Sequence, residues 1–145
     1  MRSRSAKSSP EKETVLGILE AADRVRRHFQ GILEPHGLTV QQYNVLRILR
    51  GAGEDGLATL EVGERMVEKT PGVTRLLDRL EKKDWVTRER CRRDRRRVLC
   101  RITESARELL AELDGPIAEG DKACAGGLVR REQKQLQALI ARVDP

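Results

Sequence analysis

TPGVTRLLDRLEKKDWVTRERCRRDRRRVLCRIT, residues Thr70 to Thr103, sets an amphipathic helix directly before a short hairpin loaded with arginine. Thr70 ahead of Pro71 reads as an N-cap followed by a favoured first-turn proline. Val73, Leu76, Leu77 and Leu80 supply one apolar stripe of a helix ending near Lys83, and Thr74, Arg75, Asp78, Arg79 and Lys82 lie on the opposite face. Between Arg88 and Arg101, eight of fourteen residues are arginine, flanked by Trp85-Val86 and Ile102-Thr103, which predicts a β-hairpin. Just upstream, Thr59 is placed to cap a short helix, LEVGERMV, with Leu60, Val62 and Met66 facing inward and Gly63 admitting a neighbouring helix closely. Two short helices joined by a tight turn, the second basic near its start, match a helix-turn-helix, and the hairpin behind them makes it winged.

Charge is concentrated on this unit. The eight arginines, set against Asp84, Glu89 and Asp94, leave Asp84–Arg101 at +5. The first ten residues add +3 through Arg2, Arg4 and Lys7, so with +6 for the whole chain the remainder stands at −2. Positive charge gathered on one element and one tail is the footprint of a protein that neutralises phosphates. Aromatic residues are limited to Phe29, Tyr43 and Trp85, too few to build the stacking platforms of single-strand and many RNA readers, so duplex DNA is the expected partner.

Composition narrows the remaining classes. A length of 145 residues fits one domain, and a hydrophobic content of 38% is low for a monomer that buries its own core, which points to a partner chain. No stretch approaches the roughly 18 apolar residues of a membrane span, and MRSRSAKSSPEKE lacks the apolar stretch of a signal peptide, so a cytoplasmic protein is expected. Cys91, Cys100 and Cys124 have no zinc-like spacing, and with only His28 and His36 to complement them no metal site or cofactor is expected. No nucleophile, base and orienter trio or phosphate loop appears, so the protein is read as not an enzyme.

Outside the winged unit, Met1–Pro10 reads as a disordered basic arm. A helix with apolar positions from Val15 to Leu33 ends at Pro35 and Gly37, and Thr39 with Gln42 forms a capping-box pattern opening a second helix that runs to about Arg50. Thr103 caps a later helix carrying Ala106, Leu109, Leu110, Leu113 and Ile117, and Gly126-Gly127 separates it from a last one with Leu136, Leu139, Ile140 and Val143. These outer helices need somewhere to place their apolar faces, and packing across a two-fold axis answers that. The fold class is therefore mainly α with a small β-hairpin wing: residues 11–145 form a single domain, with 38–103 a winged helix-turn-helix and 11–34 and 104–145 dimerisation helices.

The order of these parts resembles the MarR family of bacterial transcription regulators over roughly Leu38 to Leu113. TPGVTRLLDRLEKK followed by an apolar pair and a basic strand is similar to that family's recognition helix, and Asp94-Arg95-Arg96 followed by Val98, Leu99 and Ile102-Thr103 is similar to its wing signature. Asp84 and Ala106 stand where the family usually has glycine, and Val129 where a capping serine is common. The resemblance implies a homodimer on a pseudo-palindromic operator, probing the major groove with each recognition helix and the minor groove with each wing. It also implies a repressor of ligand-responsive or redox-responsive genes, released by a small aromatic or phenolic effector bound between the dimer layer and the lobe, or by oxidation of a cysteine.

Thr70, Pro71, Gly72, Thr74, Arg75 and Arg79 on the recognition helix, with Arg93, Arg95 and Arg96 in the wing, are the candidate DNA contacts. For Arg79, pairing with Asp78 or Glu81 is an equal alternative. The resemblance sets Asp94 in an ion pair with Arg96 that shapes the wing. Cys91 and Cys100, on opposite strands at similar distances from the turn, form a conceivable redox pair whose thiols the arginines would acidify, against the plainer reading of two small reduced residues. Arg26, Arg27 and His28 are candidates for an anionic-effector pocket. The competing function is a winged-helix interaction module that binds an acidic protein partner.

Overall fold

In the computed structural model, which describes residues 8–145, six helices carry a three-stranded antiparallel sheet. Helix α1 (Pro10–Leu33) begins earlier than expected: the Ser9 hydroxyl accepts the Lys12 amide at 3.2 Å, and Pro10 is its first residue. The rest of the expected basic arm, residues 1–7, lies outside the described residues. Helix α2 (Val40–Ala52) opens on the expected reciprocal cap, in which Thr39 and Gln42 exchange backbone-to-side-chain bonds of 3.1 Å. Strand β1 (Leu57–Ala58), helix α3 (Thr59–Arg65) and helix α4 (Val73–Lys82) follow. Strands β2 (Val86–Arg90) and β3 (Val98–Ile102) form the wing, and helices α5 (Glu104–Ala125) and α6 (Arg130–Ile140) close the chain.

The sheet order is β1-β3-β2, with Val86 opposite Ile102, Arg90 opposite Val98, and Leu57 opposite Cys100. Strand β1 was not read from the sequence because two residues carry no detectable alternation. The core lies beneath this sheet and joins α2, α4 and α5 through Leu46, Leu49, Leu77, Leu80, Leu110 and Leu113, all buried. Each such leucine contributes about 1.5–3 kcal/mol by leaving water. Gly63 meets its expectation: a Cβ there would stand 3.2 Å from Val73 Cγ2, so the two helices of the helix-turn-helix come together at that point. Gly120 does the same where α5 crosses α1, since a Cβ would sit 2.9 Å from Phe29 and Ile32.

Three local expectations are corrected. Thr59 is the first residue of α3 rather than its cap; Glu61 reaches back to accept the Ala58 amide at 2.8 Å and caps the helix itself. Leu60 is 75% exposed, with only Val62 and Met66 turned inward. Thr70 does not cap α4, because its hydroxyl is taken by the Gly72 amide at 3.2 Å, which folds Thr70–Gly72 into a turn and delays the helix to Val73.

The departures from the family pattern have local consequences. Asp84 adopts φ 60, the sole non-glycine with positive φ among the described residues. The Trp85 amide bonds to the Leu80 carbonyl and the Asp84 amide to that of Glu81, both at 3.0 Å, the paired closure of a helix end that favours glycine at this position. Left-handed backbone costs an ordinary residue about 1–2 kcal/mol, and glycine's added freedom in the unfolded chain offsets about 0.4–1 kcal/mol. Asp84→Gly is therefore expected to raise the melting temperature by about 1–3 °C in calorimetry; an unchanged or lower value would show that aspartate is at ease there. Ala106 is fully buried with its methyl in the core, and Val129 offers no cap, a role that Glu132 takes by accepting the Val129 amide at 2.9 Å.

Candidate nucleic-acid interface

The eight wing arginines divide into two groups. Three are tied to the protein. Arg88 on β2 donates to Asp78 at 2.5 Å and to Glu81 at 3.0 and 3.3 Å, both carboxylates belonging to α4. Arg97 pairs with Glu61 of α3 at 3.0 Å, and Arg101 donates to the Glu54 carbonyl at 2.8 Å and to Glu89 at 3.4 Å. The other five, Arg90, Arg92, Arg93, Arg95 and Arg96, are exposed and make no ion pair among the described residues. Arg93, Arg95 and Arg96 were candidates from the sequence; Arg90 and Arg92 were missed, because charge alone does not separate a paired arginine from a free one.

The wing loop, Cys91–Arg97, is shaped by its backbone. Asp94 accepts the Arg96 amide on its carboxylate at 3.0 Å and the Arg97 amide on its carbonyl at 3.0 Å, while the Cys91 amide closes onto the Arg97 carbonyl at 2.9 Å. Asp94 therefore holds the turn, but through the Arg96 backbone in place of the guanidinium that the resemblance implied. The Arg96 guanidinium makes no ion pair among the described residues.

The cysteine expectation fails on register. Cys100 stands opposite Arg88, whereas Cys91 stands beyond the end of β2 against Arg97. Three residues of strand, roughly 10 Å, separate those levels, beyond the reach of a disulfide. The thiols also differ in acidity. Cys91 is lowered below the ordinary thiol range, first by the backbone amides of Asp94 and Arg93 and only then by the Arg97 charge. Burial pushes the Cys100 thiol up, opposed by its contact with the Thr59 hydroxyl. Iodoacetamide is accordingly expected to label Cys91 well ahead of Cys100 in the folded protein, as read by peptide mass mapping; equal labelling would mean that the hairpin opens.

On the helix-turn-helix, Thr70, Pro71, Gly72 and Thr74 gather with Leu60 and Lys69 around an open cleft of about 510 Å³ at the start of α4. The turn feeding it is anchored to α2, whose Asn44 accepts the Val67 amide at 3.0 Å. Arg75 is exposed on α4. Arg79 is exposed and makes no ion pair among the described residues; Asp78 and Glu81, one and two positions away on the helix, do not face it and pair with Arg88. Arg79 lines a second cleft, of about 340 Å³, together with Arg26, Arg27, Gln30, Gln41 and Glu68. There Arg26 of α1 donates to Glu68 and holds that carboxyl below its usual range, with Gln41 adding a bond at 3.4 Å. Of the three residues considered for an effector pocket, Arg26 and Arg27 line this cleft, whereas His28 is not in its lining and packs edge-on against Phe29.

Among the described residues no helix is long and apolar enough to cross a membrane, and no cluster of His, Cys, Asp or Glu has the makings of a metal site.

The family model described as MarR family matches residues 36–97. The regulator TtmR of Methylorubrum extorquens is 34% identical over 106 residues, 73% of this chain and 53% of that protein, so the chain spans about half the length of that relative. The crystal structure of a MarR transcription factor from Planctomyces limnophilus superposes with a TM-score of 0.72 at 32% identity, covering 92% of this chain and 97% of that one. A cysteine-to-serine mutant of MarR from E. coli, complexed with operator DNA, superposes with a TM-score of 0.82 at 25% identity, covering 95% of this chain and all of that one, 100%.

Proposed function

The chain belongs to the MarR family of winged helix-turn-helix transcription regulators and is not an enzyme, and on that footing we propose that it acts as a homodimeric repressor that binds a pseudo-palindromic duplex operator. The observation that carries the reading is the group of five wing arginines that make no ion pair among the described residues, on the same sheet-and-helix unit as the start of α4. The start of α4, with small side chains and an exposed Arg75, is suited to enter a major groove, and the wing arginines to enter the adjoining minor groove, where negative potential is enhanced. The E. coli MarR mutant complexed with operator DNA supports duplex DNA as the ligand here.

Two-fold assembly is supported by the outer helices. Leu19 on α1 is 60% exposed and Leu139 on α6 is 52% exposed, and Val15, Leu16, Val25, Leu136, Ile140 and Val143 share that exposure. Apolar surface on this scale at both ends of a chain marks an interface. The second cleft, between α1 and the lobe, would receive a small anionic aromatic effector, whose carboxylate or phenolate would compete with Glu68 for Arg26.

The test compares binding to a mixed duplex pool and to polyglutamate across ionic strength. The reading expects duplex binding that outlasts polyglutamate binding as salt rises and differs between sequences. Equal, salt-labile binding to both would favour the interaction module with an acidic partner.

A further inference from the structure

Among the described residues Arg88 is the least exposed of the ion-paired arginines, 20% by side chain, and it is not one of the candidate DNA contacts of the reading above, on which this inference rests. It follows Val86 on the inward-facing side of β2, opposite the buried Cys100. From there its guanidinium reaches across to α4, with Nη2 shared between Asp78 and Glu81 and Nε on Glu81. Asp78 and Glu81 are three residues apart, so they stand on one face of the helix, and the arginine fork engages both. This is the only side-chain ion pairing between the recognition helix and the wing among the described residues.

We propose that Arg88 is a positioning residue for operator recognition, a clamp that fixes the angle between the recognition helix and the wing so that both grooves are engaged in one register. The two elements otherwise meet through the apolar core, where Leu77 and Leu80 of α4 and Val86 of β2 are buried together, and through the left-handed turn at Asp84; apolar packing is non-directional, so it sets rotation less sharply than a hydrogen-bonded fork does. A fork on two carboxylates restricts rotation because a planar guanidinium satisfies both at one orientation only. The clamp also offsets one of the two negative charges that Asp78 and Glu81 place on the recognition helix. Glu81 is held below the ordinary carboxylate range chiefly by the Arg88 hydrogen bonds, so the clamp is intact above the ordinary carboxylate pKa and is lost as pH falls through the lowered value.

A clamp predicts a signature that a phosphate contact cannot mimic. Arg88→Ala, Arg88→Lys and the helix-side pair Asp78→Asn with Glu81→Gln are compared on the duplex that wild type enriches most from a random pool, taken as the operator, and on a scrambled duplex, over a salt series, with thermal melts recorded. Loss of one element's register forfeits contacts of the bidentate kind, so the operator-to-scrambled ratio is expected to fall about 10–100-fold in Arg88→Ala and in the helix-side pair. The salt slope should stay within experimental error of wild type, Arg88→Lys should recover only part of the ratio, and Arg88→Ala added to the helix-side pair should cost nothing more. The helix-side pair retains the strand's arginine, so the proposal remains testable if Arg88→Ala fails to fold. A slope that drops by about one per protomer in Arg88→Ala would make Arg88 a phosphate contact and overturn the clamp; an unchanged ratio in the helix-side pair would overturn it as well. Wild type that shows no preference for any duplex would instead bring down the operator reading itself, and the clamp with it.

Discussion

Arg93 and Arg95 replaced together by alanine are expected to lower operator affinity at least 100-fold and to leave the melting temperature within about 2 °C of wild type. Both side chains are exposed at the wing loop without an intramolecular ion pair among the described residues, so removing them breaks nothing in the folded chain. In a dimeric complex the change deletes four cations. A charge-assisted contact contributes about 1.5–3 kcal/mol, so even weak engagement of half of them reaches the stated loss. The slope of log affinity against log salt should shrink by about two per protomer, since each phosphate neutralised adds about 0.9. Arg97→Ala provides the contrast: Arg97 pairs with Glu61 at 3.0 Å, and its loss should affect the melt before it affects the slope. An unaltered slope in the Arg93 and Arg95 variant would mean that the wing is a solvated hairpin.

The second large effect concerns assembly. Leu19→Glu combined with Leu139→Glu is expected to yield a monomer by light scattering and a 100-fold or greater loss on a palindromic operator, with a near-native far-UV spectrum. Both leucines are exposed in the single chain, while the core runs through Leu46, Leu77, Leu80 and Leu110, so the lobe should fold without a partner. Linking two half-site readers raises affinity by about 10²–10⁴ over either alone, and the monomer loses that factor. Its binding to an isolated half-site should be unchanged. A variant that keeps the dimer mass would place the two-fold contact elsewhere.

Long amphipathic segments were legible in their interiors: the stripe of Val73, Leu76, Leu77 and Leu80 is buried as its spacing implies, and the Thr39–Gln42 cap forms as the pattern demands. Short-range competition hid the rest. Thr70 had two partners within reach, the first amides of a helix and the nearer amide of Gly72, and the nearer one prevailed. Glu61, three residues beyond Ala58, displaced Thr59 as the capping group. In the wing, arginine density announced a phosphate-binding element but could not show which arginines had carboxylate partners distant in sequence: Arg97 meets Glu61, and Arg88 meets Asp78. The cysteine pair failed because the strands pair so that the turn centres on Asp94, which leaves Cys91 three residues from the centre and Cys100 six, on different levels of the hairpin.

Selection from a random duplex library at two salt concentrations tests the central claim most directly. A dimeric reader of both grooves is expected to enrich an inverted repeat with half-site centres about one helical turn apart, to favour A·T pairs where each wing meets the minor groove, and to retain that enrichment at the higher salt. Recovery of unenriched sequences at low salt and of none at high salt would contradict it, leaving the arginines with only general electrostatic attraction.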